Sequence, residues 1–96
     1  MLKFEWDKKK NDTNIKKHGV SFIEASSVFL DDFALLIPDP DHSVDEDRFV
    51  IIGLSNLYRL IIVCHCYRGN EETIRIISAR KATKNETKTY ERGSKK

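Results

Sequence analysis

The stretch Leu60-Ile61-Ile62-Val63-Cys64-His65-Cys66-Tyr67-Arg68 decides the fold. It is apolar on both faces of an extended chain, the pattern of a central strand buried from two sides. Arg48–Ser55 before it and Thr73–Arg80 after it are rich in Ile, Val and Leu and read as its neighbours. Asn56–Arg59 and Gly69-Asn70 are short enough to be hairpin connections, so the three segments form an antiparallel meander.

Working outward, Ala34–Ile37 reads as a further strand stopped by Pro38, and Pro38–Asp47 as an acidic loop. At the N-terminus, Leu2, Phe4 and Trp6 alternate with Lys3 and Glu5, which predicts a short strand at Lys3–Trp6. Asp7 is a good N-cap for a polar helix from Lys8 to His18, closed by Gly19. That helix has little apolar surface beyond Ile15, which sets it across an exposed site. Ser21 and Glu24 have capping-box spacing before Phe22, Ala25, Val28 and Phe29, a core helix ended by Asp31-Asp32. Thr83 and Glu86 repeat the box before a basic helix running to about Arg92. The order β-α-α-β-β-β-β-α predicts an α+β fold with a small antiparallel sheet of four to five strands. Two N-terminal helices and one C-terminal helix pack mainly on one of its faces.

The 96 residues suit one domain, 1–96, with no second core. No apolar run approaches the ~18 residues that span a membrane, and the N-terminus lacks a signal-peptide pattern. Cys64 and Cys66 point the same way from a strand at a spacing poorly suited to a mutual disulfide, which fits a reduced, cytoplasmic protein. The net charge of +2 hides segregation: residues 1–19 carry +3, residues 31–47 carry −7 and residues 80–96 carry +5. Basic ends flanking an acidic middle favour contact with a polyanion.

His65 stands inside an otherwise apolar strand. It is either a satisfied core histidine or an imidazole projecting into a cleft to exchange protons. Cys64-His65-Cys66 invites a zinc reading, yet strand neighbours alternate faces and cannot converge on one ion, so no metal is expected. Lys17-His18 ends the first helix, where cations are favoured, and could equally stand at the mouth of the same cleft. Arg75 and Arg80 are an odd number of residues apart and are expected on opposite faces, with Arg80 the better site candidate. Arg59 and Arg68 flank the central strand, where a guanidinium fork suits a phosphate. Lys84, Lys88 and Arg92, with Tyr90, could track a phosphate backbone, while Trp6 packs in the core or stacks on a base. There is no Gly-rich phosphate loop, nucleophile elbow or carboxylate metal cluster.

Several short motifs in order add a resemblance. Phe4-Glu5-Trp6-Asp7, Asn14, Lys17-His18-Gly19-Val20-Ser21-Phe22, Glu24-Ala25 and Val28-Phe29 resemble the first half of the BrnT toxins. Asp39-Pro40-Asp41-His42, Arg48-Phe49, Gly53-Leu54-Ser55, Arg59-Leu60, Val63 with His65, and Arg68-Gly69 resemble the second half. The set closes on Arg75-Ile76-Ile77-Ser78-Ala79-Arg80, Ala82, Glu86 and Tyr90. Cys66 departs from the family, which often has Thr there.

The resemblance implies a RelE-like fold and metal-free endoribonuclease activity that arrests growth, with no cofactor. It also implies a BrnA-like antitoxin with a ribbon-helix-helix region, a 2:2 complex, and repression of the shared operon through the antitoxin's operator DNA contacts. On that reading His65 is the acid or base, Arg80 and Arg59 are phosphate donors, and Lys17 and His18 are supporting cations. Lys84, Lys88 and Trp6 would contact RNA, and the acidic loop would face the antitoxin or solvent. A non-catalytic RNA- or antitoxin-binding module of the same fold is the alternative.

Overall fold

In the computed structural model, which describes residues 2–38, 48–69 and 72–94, the elements follow the expected order. They are β1 (Lys3–Glu5), α1 (Lys8–His18), α2 (Phe22–Ser27), a 3₁₀ turn (Val28–Leu30), β2 (Leu35–Pro38), β3 (Arg48–Leu54), β4 (Leu60–Arg68), β5 (Thr73–Lys81) and α3 (Lys84–Ser94). The expected acidic loop beyond Pro38 and the turn at Asn70 lie outside the described residues.

The sheet order is β1-β5-β4-β3-β2, with β4 in the middle. Neighbours from β2 to β5 are antiparallel, but β1 runs parallel to β5, pairing Lys3 with Thr73 and Glu5 with Arg75. The sheet is therefore mixed, a correction to the expected antiparallel one. No hairpin ties β1 to β5, so nothing local dictates their relative direction.

Cross-strand partners share a face, which sorts the side chains into two layers. Ala79, Val63, Ile51 and Leu36 form one row, and Arg80, Ile62, Ile52 and Leu35 form the row on the other side. The first face carries the main core: Val20, Phe22, Ala25 and Val28 from the α1–α2 region close over Ile61, Val63, Ile74, Ile76 and Ala79. Gly53 lets the 3₁₀ turn lie directly on β3, since a Cβ there would be 2.7 Å from Val28 Cγ1.

The third helix covers the other face, the exception to the expected packing mainly on one side. Glu86 in its first turn holds Arg80, and Gly93 near its end lies against Leu35, at the far end of the same row. Ile52 and Ile62 lie between them and are buried beneath it. Tyr90 adds a 2.6 Å hydrogen bond from its hydroxyl to Asp31.

One irregularity resets the layers. Cys64 pairs with Ser78 but His65 pairs with Ile76, leaving Ile77 as a bulge in β5. Alternation therefore slips by one, Ala79 rejoins the core face of Ile74 and Ile76, and Arg75 and Arg80 fall on the same face. In an unbroken strand these two arginines would stand on opposite faces.

Candidate functional site

The first helix is framed as its sequence requires. Asp7 accepts a hydrogen bond from the Lys10 amide at 3.1 Å, and Gly19 takes the left-handed conformation, φ 67°, while donating to the Ile15 carbonyl. This stop leaves Lys16, Lys17 and His18 in the last turn, where they complement the helix dipole.

Asn14 locks the helix to the sheet. Its amide nitrogen donates to the carbonyls of Val20 and Ala79, both at 2.8 Å, and its oxygen accepts from the Ala79 amide at 3.0 Å. It thus pairs with β5 as a neighbouring strand would, just where β1 has already ended.

Beside the end of α1 stands Arg59, carried on the turn between β3 and β4. Tyr58 in that turn is exposed and has φ 59°, a conformation unusual for a bulky residue. Arg59 Nε donates to Glu24 Oε2 at 2.9 Å, while Nη2 binds both Glu24 Oε1 and the Gly19 carbonyl. Nη1 makes no hydrogen bond among the described residues. Glu24 is buried and also accepts from the Ser55 hydroxyl at 2.7 Å. The Arg59 hydrogen bonds hold its carboxyl below the ordinary range against the opposing push of burial, with Ser55 and the charge of Lys81 helping. Arg59 thus reaches the residue that directly follows Lys17 and His18, and Lys81 lies near the same carboxylate.

His65 is elsewhere. It is 0% exposed, enclosed by Phe29 with ring centroids 4.8 Å apart, Tyr67 at 5.4 Å and Phe49 at 6.2 Å. Nδ1 lies 3.2 Å from the Val63 carbonyl, and Nε2 is buried with no partner among the described residues. Burial holds the imidazole below its usual value, so the neutral ring donates from Nδ1. The expected cleft position gives way to an interior one, because Phe29 from the 3₁₀ turn roofs that part of the sheet. Cys64 and Cys66 lie on the opposite face, so the three do not converge on one ion.

Arg80 is likewise apart from Arg59. It binds Glu86 with both terminal nitrogens, at 2.7 and 2.8 Å, and drives that carboxyl down to about 2. Lys84 and Lys88 are exposed on α3, across the sheet from α1. Trp6 is half-buried with its ring edge-on to Phe22, 6.1 Å away. Arg75 and Arg68 both meet Glu5, at 2.6 and 4.0 Å.

Sequence reasoning missed Glu24 and Lys81 as parts of this site. Only half of the first capping box forms: the Glu24 amide donates to Ser21 Oγ, but its carboxylate turns to Arg59 instead. Spacing alone could not show that choice. The Thr83–Glu86 box closes in both directions.

The comparisons with known proteins bear on what this arrangement does. The family described as the ribonuclease toxin BrnT of type II toxin-antitoxin systems matches residues 6–86. The crystal structure of the Brucella abortus ribonuclease toxin BrnT is similar, with 30% sequence identity and a TM-score of 0.67 over 88% of this chain and 100% of that one. No curated protein matches the chain. With most of its length covered by the family, the chain belongs to the BrnT ribonuclease toxins of type II toxin-antitoxin systems.

Proposed function

We propose that this protein is a cytoplasmic endoribonuclease that cuts RNA without a metal, arrests growth, and is held silent by a BrnA-type antitoxin. The reading is carried by one contact: Arg59 Nη2 donates 3.0 Å to the Gly19 carbonyl, immediately after Lys17 and His18. A guanidinium, an ammonium and an imidazole then share one exposed pole.

Those groups suit internal transesterification. The 2′-oxygen attacks the adjacent phosphorus, the bond to the 5′-oxygen breaks, and the products end in a cyclic 2′,3′-phosphate and a 5′-hydroxyl. His18 takes the 2′-hydroxyl proton or returns one to the leaving oxygen, an imidazole nitrogen being able to accept a proton or to donate one. Arg59, through Nη1, and Lys17 stabilise the doubly charged phosphorane. Glu24 positions Arg59 and touches no RNA. In this reading His65 is an interior residue and Arg80 anchors α3.

The family is one half of a toxin–antitoxin pair. We assign the partner to the ribbon-helix-helix class, in a 2:2 complex that represses its own operon through the antitoxin's DNA contacts. A RelE-like origin accords with the small sheet and its N-terminal helices.

The test is incubation of purified protein with RNA in the presence of EDTA, analysing the chain ends formed. Cyclic phosphate ends, lost about a hundredfold or more in His18→Ala and in Arg59→Lys, are expected. Intact RNA with folded wild-type protein would overturn the proposal.

A further inference from the structure

The first turn of α1 breaks a rule. It holds Lys8, Lys9 and Lys10 and no acidic residue, although the amide end of a helix is positive and favours carboxylates. Each of these lysines works against the helix that carries it. Such local conflict is expected where a surface serves something other than stability.

Two of the three line a groove. Lys9, Lys10 and Thr13, with Lys17 and His18, form its α1 side, and the β5 bulge at Ile77–Ser78 forms the other. The groove is open and encloses about 350 Å³. It exists because β1 stops pairing with β5 at Arg75, leaving the later edge of β5 with Asn14 as a partner at Ala79. Among the described residues no carboxylate lines it. From Lys9 to His18 is about 13 Å along the helix axis, and the groove ends beside Gly19, the residue that Arg59 holds.

We propose that this groove binds the sugar–phosphate backbone of single-stranded RNA and leads it along α1 to the pole. Its direction rests on the nuclease reading, though binding and cutting are separable. The ammonium groups and the Thr13 hydroxyl suit phosphate oxygens and carry no base code. The groove therefore supplies affinity that is indifferent to sequence, and specificity arises at the pole.

The probe is a short fluorescent RNA of mixed sequence with 2′-O-methyl groups, which lacks the nucleophile and cannot be cut. Anisotropy titrations against the full chain compare wild type, Lys9→Glu/Lys10→Glu and Lys84→Glu/Lys88→Glu. The groove pair should bind about tenfold or more weakly at about 0.1 M salt, with a salt slope shallower by about 1.4 for two lost phosphate contacts. Because glutamate in the first turn favours the helix, its melting temperature should hold or rise, so unfolding does not explain the loss.

A larger loss from the α3 pair, or no loss from the groove pair, overturns the proposal. So does a wild type that ignores the RNA but binds poly-glutamate through Lys9 and Lys10, which would give the groove to an acidic protein partner. Groove-dependent binding of the probe with no cutting of unmodified RNA would sink the nuclease reading and leave the groove standing. Cutting with unchanged binding in the groove pair would do the reverse.

Discussion

Arg59 clasps both carboxylate oxygens of Glu24, a residue only 3% exposed, and through Nη2 reaches on to the Gly19 carbonyl. One side chain thereby ties the start of β4 to α2 and to the end of α1. Removing either partner should be felt in the fold as well as in the site. Glu24→Gln keeps the shape but gives up the charge, and is expected to lower stability by about 1–3 kcal/mol in urea unfolding near neutral pH. Because the folded carboxyl titrates below its ordinary 4.5, the wild-type advantage is complete above that value and fades as pH falls through the folded one. The difference between the two proteins should therefore shrink in acid.

Asn14 is the clearest stability prediction away from the pole. Three backbone groups depend on its side chain, at Val20 and at both polar atoms of Ala79. Asn14→Ala should cost about 3 kcal/mol in chemical denaturation, the sum of several partly compensated losses. Asn14→Asp should cost at least as much, because it turns two donor contacts into a carboxylate facing carbonyls. A loss under about 1 kcal/mol for either would mean that the edge of β5 is held some other way.

His65 offers a pH signature. Unfolded, an imidazole titrates near 6.5, while burial holds this one lower. Between those values the unfolded chain binds the extra proton, so stability falls as pH drops from above 6.5 and levels off below the folded value. His65→Leu should flatten that part of the stability curve, and should still arrest growth when expressed at a matched level. Lost arrest from a stably folded His65→Leu protein would return the residue to the reaction.

Glu86 joins Arg80 to the cap of α3. Its folded value of about 2 against an ordinary 4.5 means that its contribution is present above about 4.5 and lost as pH falls toward 2. Glu86→Gln should remove that acid slope and loosen α3 first, visible as earlier amide exchange of residues 84–93 with little change in α1.

Much of this architecture was legible beforehand where local chemistry sets the answer. Asp7 and Gly19 bound α1 at the residues that their types suggest, and the doubly apolar run Leu60–Arg68 is the central strand. What escaped depends on distant partners. The direction of β1 is set by β5, some seventy residues later, and the covering of the second face by α3 depends on Arg80 and Leu35 meeting Glu86 and Gly93. The site divided in the same way. Arg59 reaches the helix end that carries Lys17 and His18, but a strand apolar on both faces hides which face a single histidine takes, so the sequence does not place His65. In sequence the lysines at the start of α1 are only charge, because the uncovered edge of β5 that makes them the wall of a groove has no signature in a linear pattern.

The bulge at Ile77 has a consequence for how this chain tolerates change in length. Deleting that residue would leave a regular ladder, in which Ser78, Ala79 and Arg80 keep Cys64, Val63 and Ile62 as partners and so keep the faces they now occupy. The strand thus holds one residue it can lose without turning anything over. The loss of one residue from an unbulged stretch such as Leu60–Cys64 would instead turn the rest of that strand inside out.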